Sequence, residues 1–131
     1  MRNKQTGFTL IELVVVIVIL GILAATAIPK FVDLRTEASA AALDGVTGTL
    51  AAAMAINYAG CAALNNVPTA NKCVAVSDCS ATNTLLQGGL PTGYTVAAAA
   101  LTAVNGATAT CTVTQTASTN TKTYTGISAG N

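Results

Sequence analysis

One carboxylate stands alone in this sequence. Between Phe8 and Ile28, Glu12 is the only charged side chain in an otherwise apolar run. At the centre of a bilayer such an acid costs about 2.5 to 3.5 kcal/mol on insertion scales, and less toward the interface. Glu12 is therefore expected either to sit shallow among headgroups, near the positive end of a helix dipole, or to find a cation. Its chemistry is ion pairing. The four cysteines, Cys61, Cys73, Cys79 and Cys111, are the other reactive group. Their spacing contains no Cys-x-x-Cys and the chain has no histidine, so zinc is disfavoured against two disulfides. Catalysis finds no constellation. Asp33, Glu37 and Asp44 lie along one helical stretch, the serine and cysteine nucleophiles have no imidazole base, and Gly88-Gly89-Leu90-Pro91 does not open a phosphate-binding helix.

The element that must position Glu12 is long. A basic leader carrying Arg2 and Lys4 precedes 21 residues, Phe8 to Ile28, enough to cross the ~30 Å hydrocarbon core as a helix. The two cations hold the N-terminus on the cytoplasmic side. No cation follows Glu12 before Lys30, so its partner is expected from another molecule or from a newly made amino terminus.

Lys4-Gln5-Thr6-Gly7-Phe8-Thr9-Leu10-Ile11-Glu12, followed by the apolar run to Gly21 and Pro29, resembles the class III signal of type IV pilins and of the type II secretion pseudopilins. The resemblance covers roughly residues 1 to 58, and the stretch from Ile17 to Leu34 is most similar to mannose-sensitive haemagglutinin-type pilins. It implies cleavage between Gly7 and Phe8 by a prepilin peptidase, methylation of the Phe8 amine, and packing of the mature helices into a filament. There Glu12 would face the Phe8 ammonium of a neighbour. The same resemblance implies an assembly ATPase and an inner-membrane platform as partners. It also implies a precursor in the inner membrane among lipid, then an extracellular filament that is a homo-oligomer. A rival outline, an ordinary secretory signal cut after Ala27, fits Arg2, Lys4 and Ala25-Thr26-Ala27, but Glu12 interrupts it and Pro29 would stand second in the product.

Removal of the leader leaves four basic against five acidic side chains, which excludes general nucleic-acid binding. The organisation expected is 1–7 as leader, 8–29 as the membrane and filament-core half of a helix, 30–58 as its amphipathic half, and 59–131 as a disulfide-stapled loop and sheet. Gly21 and Pro29 bracket the likeliest bend. Lys30, Asp33 and Glu37 form a charged face, and Leu43, Val46, Leu50 and Met54 draw an apolar stripe to about Asn57. Large aliphatics are sparse beyond Ala59, so the head needs staples of about 2 to 4 kcal/mol each. Three pairings are open. Cys61 with Cys73 and Cys79 with Cys111 is favoured, clipping the loop after the helix and tying that loop to a strand.

Residues 58–91 read as an irregular connector. A strand over Tyr94 to Ala98, an Asn105-Gly106 hairpin of type I′, a strand over Thr108 to Thr114 and a third over Thr121 to Ile127 give a small antiparallel sheet of three or four strands. The fold class is α+β, a type IV pilin fold by resemblance. No cofactor is expected. The function expected is a structural filament subunit for adhesion or motility, with a type II secretion pseudopilin as the alternative. Conduction along Phe8, Phe31, Tyr58, Tyr94 and Tyr124 has too few aromatics to support it.

Overall fold

The computed structural model describes residues 7–131, with no side-chain surroundings for 29–33. The basic leader, and the charged face built on Lys30 and Asp33, lie outside the described residues. The chain divides between Ala38 and Ser39 into two units. One helix, α1 (Leu10–Ala63), contributes to both. Its helical assignment runs without interruption through Gly21 and Pro29.

The N-terminal unit is helix with almost nothing packed on it. Every large apolar side chain from Leu10 to Leu23 is more than a third exposed.

The C-terminal unit has a true core. Leu43, Leu50 and Met54 of α1 are buried at intervals that keep them on one helical face. They meet Val76 and Cys79 of the connector, Leu101, and Cys111, Val113 and Tyr124 of the sheet. Three strands, β1 (Tyr94–Val96), β2 (Thr108–Gln115) and β3 (Thr121–Ile127), pair antiparallel in the order β1-β2-β3. Along β2, Cys111 and Val113 turn inward while threonines alternate with them, the period of two that a half-buried strand requires. The architecture is α+β: a long N-terminal helix packed against a small antiparallel sheet.

Two local expectations need correction. The helix does not end near Asn57 but runs to Ala63. Alanines at 59, 62 and 63 propagate it, and Asn65 and Asn66, at φ 54° and 60°, end it in the left-handed conformation that asparagine tolerates. The Asn66 N–H donates back to the Cys61 carbonyl at 2.7 Å. The type I′ hairpin at Asn105-Gly106 does not form either. Gly106 has φ +85°, but Asn105 does not have positive φ, and residues 97–107 separate β1 from β2. The chain leaves the sheet at Ala97 to bridge the connector, where Asp78 pairs with Ala100. Asn105 instead clasps Asn131, donating through Nδ2 to its carbonyl at 2.7 Å and accepting its N–H at 3.0 Å. The tight hairpin joins β2 to β3, closed by Gln115 N–H donating to the Asn120 carbonyl.

Disulfides join Cys61 to Cys73 and Cys79 to Cys111. The first ties the last turns of α1 to the connector. There Asn57, buried, reads both backbone groups of Val74, donating to its carbonyl and accepting from its N–H, each at 2.9 Å. The second joins the 3₁₀ turn at Cys79–Ala81 to β2. Gly126 makes room for it: a Cβ there would collide with the Cys111 sulfur.

Candidate functional site

Gly7 and Phe8 lie ahead of the first helical residue, and Phe8 is 88% exposed. Among the described residues, nothing stands within 4 Å of where a Gly7 side chain would begin. The peptide bond between them is therefore open to approach from outside.

Glu12 finds part of what it needs inside its own chain. Its Oε2 accepts the Thr9 N–H at 2.8 Å and the Thr9 hydroxyl at 2.6 Å, while the Glu12 N–H donates to Thr9 Oγ1 at 3.3 Å. This reciprocal arrangement is a capping box: Thr9 caps the helix that begins at Leu10, and Glu12, three residues on, bonds back. The sequence signal was Thr-x-x-Glu ahead of an apolar run. Magnitudes show why the cap does not end the matter. An N-cap contributes about 1 kcal/mol, whereas the carboxylate costs about 2.5 to 3.5 kcal/mol deep in a bilayer. Hydroxyl and amide also leave the negative charge in place. A cation is still wanted.

Beyond the cap, Leu10–Ile28 is 19 residues long with mean hydropathy 2.9 and no buried position. At about 1.5 Å per residue it spans a hydrocarbon core. Glu12 thus stands in the first turn of an apolar helix that, among the described residues, is exposed on every side. The model of the prokaryotic N-terminal methylation motif matches residues 2–28 of this chain. Residues 2–28 thus carry an N-terminal motif that the chain shares with type IV pilins and a type II secretion protein.

Proteins similar over this N-terminal stretch include pilus subunits and a type II secretion protein. The type IV narrow pilus major component PilA5 of Thermus thermophilus is 54% identical over 56 residues, 43% of this chain and 47% of that protein. The type II secretion system core protein G of Pseudomonas aeruginosa is 45% identical over 53 residues, 40% and 37% of the two chains. The type IV major fimbrial protein FimA of Dichelobacter nodosus is 54% identical over 41 residues, 31% and 26%. The pilin-family match thus spans less than half the length of these relatives. No solved structure matches.

In the C-terminal unit a shallow groove runs between α1 and the connector, lined by Ala53, Ile56, Lys72, Leu85 and Leu86 among others. Its lining contains no carboxylate and no thiol. The four cysteines are all consumed in disulfides. Among the described residues, no three metal-ligating side chains gather.

Proposed function

We propose that this chain is the structural subunit of a type IV pilus-like surface filament, polymerising through its N-terminal helix. The observation that carries the reading is the exposed apolar helix Leu10–Ile28 with Glu12 only partly satisfied by Thr9. Burying that circumference against copies of itself removes apolar surface from lipid or water. A neighbour's amino terminus then supplies the missing positive charge. In this reading a prepilin peptidase cuts between Gly7 and Phe8, and the Phe8 amine so created is methylated and pairs with Glu12 of the next subunit. An assembly ATPase and an inner-membrane platform drive addition, the precursor waiting in the inner membrane and the product standing outside the cell. Catalysis has no part in it: the relatives bear pilus, fimbrial and secretion names.

The relation to core protein G supports a second reading, a pseudopilin of a type II secretion system. Shearing separates the two. Mass and N-terminal sequence of the chain in the sheared surface fraction are expected to show a start at Phe8, one added methyl and a loss of four hydrogens for two disulfides. The same processed chain found only in the envelope would favour the pseudopilin. A start at Ile28 would defeat both.

A further inference from the structure

The outward face of the sheet is written almost in one letter. Thr110 stands opposite Thr125, Thr112 opposite Thr123 and Thr114 opposite Thr121, with Thr95 of β1 beyond Thr114. Paired residues in an antiparallel ladder point to the same side, so these threonines form rows and columns on one surface. Thr108 continues the row opposite Ile127; strand propensity explains a β-branched residue at each site, but not the absence of every charged residue from the face. Solubility alone favours charges on such a face. The only ionisable groups on β2 and β3, Lys122 and Tyr124, belong to the opposite side, where Lys122 pairs with Asp44 at 2.8 Å and Tyr124 is buried.

The hydroxyls of this face are also spare. Elsewhere threonines turn back onto the chain: Thr47 donates to the Leu43 carbonyl, Thr82 to that of Cys79 and Thr84 to that of Ala81. None of the hydroxyls of the eight threonines on β1, β2 and β3 has a hydrogen bond to a protein group among the described residues. Each therefore presents one hydroxyl, free to donate and accept, beside one methyl. An uncharged array of this kind is complementary to an uncharged surface that offers both donors and acceptors at a regular repeat.

The repeat narrows the choice. Opposed Cβ atoms in an antiparallel pair lie about 4.5 to 5.5 Å apart, and like-facing residues along a strand about 6.8 Å apart. Water molecules bonded tetrahedrally at about 2.8 Å build a hexagonal lattice repeating at about 4.5 Å in one direction and about 7.4 Å at right angles to it. Over three rows the mismatch along the strand grows to about 1.2 Å, within the swing of a hydroxyl on its rotamer. A crystalline polysaccharide would be expected to meet flat aromatic rings, and this face carries none. We propose that the threonine face of β2 and β3 is an ice-binding surface, its hydroxyls taking lattice positions and its methyls holding the water between them in register.

The test uses the full chain in detergent micelles, frozen directionally so that ice advances slowly through the solution and rejects ordinary solutes. The chain is expected to enter the ice, whereas micelles alone stay in the liquid. Thr110→Lys/Thr123→Lys is expected to lower the ice fraction at least tenfold, and Thr92→Lys, on an exposed turn outside the strands, to leave it unchanged. Thr110→Ser/Thr123→Ser keeps the hydroxyls and the fold while removing two methyls, and is expected to weaken retention severalfold. Exclusion of the native chain from ice, or equal retention of the lysine variant, would overturn the proposal. So would adsorption to powdered chitin or cellulose without retention in ice, or sugars on these threonines in the native protein. None of these readouts depends on whether the chain polymerises.

Discussion

Thr9 shows how much one hydroxyl does. It accepts the Glu12 N–H and donates to the Glu12 carboxylate, fixing both where the helix starts and where the acid points. Thr9→Ala removes the acceptor for the Glu12 amide. Hydrogen exchange at that amide, measured in micelles, is expected to quicken about fivefold, the equivalent of about 1 kcal/mol, and Thr9→Ser to restore it. A second hydroxyl pair sits in the core. Thr82 donates to the Cys79 carbonyl, so at 2.8 Å it must accept from the Tyr124 hydroxyl. Burial pushes the Tyr124 pKa upward. A tyrosine whose folded pKa is raised contributes stability that is complete below its unfolded value of about 10 and fades as pH climbs through the folded one. Tyr124→Phe is expected to lose about 1 kcal/mol near neutral pH. Its denaturation midpoint should then fall less steeply than the wild type above about pH 10, which a denaturant series at rising pH would read.

At the level of elements, the apolar stripe and the sheet rest on different signals. Leu50 is fully buried on the inner face of α1 while Val46 is only partly covered. Leu50→Ala is accordingly expected to cost about 3 kcal/mol and Val46→Ala less than half of that, measurable as shifts of the urea midpoint. Periodicity made this stripe legible, and alternation with a polar turn made β2, β3 and their hairpin legible, because each depends on residues close in sequence. The family signature around Gly7, Phe8 and Glu12 was legible for the same reason. Asn105-Gly106 misled because its side chain is spent on Asn131, 26 residues away, and no local rule sees that contact. The helix end moved because two adjacent asparagines adopted positive φ, a choice tied to the connector lying against Gly60, whose missing side chain lets the Lys72 carbonyl approach. The Thr9 cap was legible too, in a threonine and a glutamate three residues apart ahead of an apolar run.

At the scale of the molecule, the units are built on opposite terms. The N-terminal one exposes its apolar residues; the C-terminal one closes a modest core with covalent bonds. The bonds bear on what happens when the chain is pulled. A polymer under tension lengthens by feeding out backbone, at about 3.5 Å per residue, and a crosslink withholds whatever lies inside its loop. Sequence separations of 12 and 32 between the bonded cysteines withhold about 40 Å and about 110 Å of contour respectively. Single-molecule stretching of the oxidised chain is therefore expected to end short of its full contour by about 150 Å, and a reducing agent added under load to release that length in two unequal steps. Since Cys61 stands on α1 and Cys111 on β2, the helix and the sheet can part only as far as residues 73–79 allow. The head thus behaves less as a spring than as a pair of knots on a short tether, giving slack once and then holding.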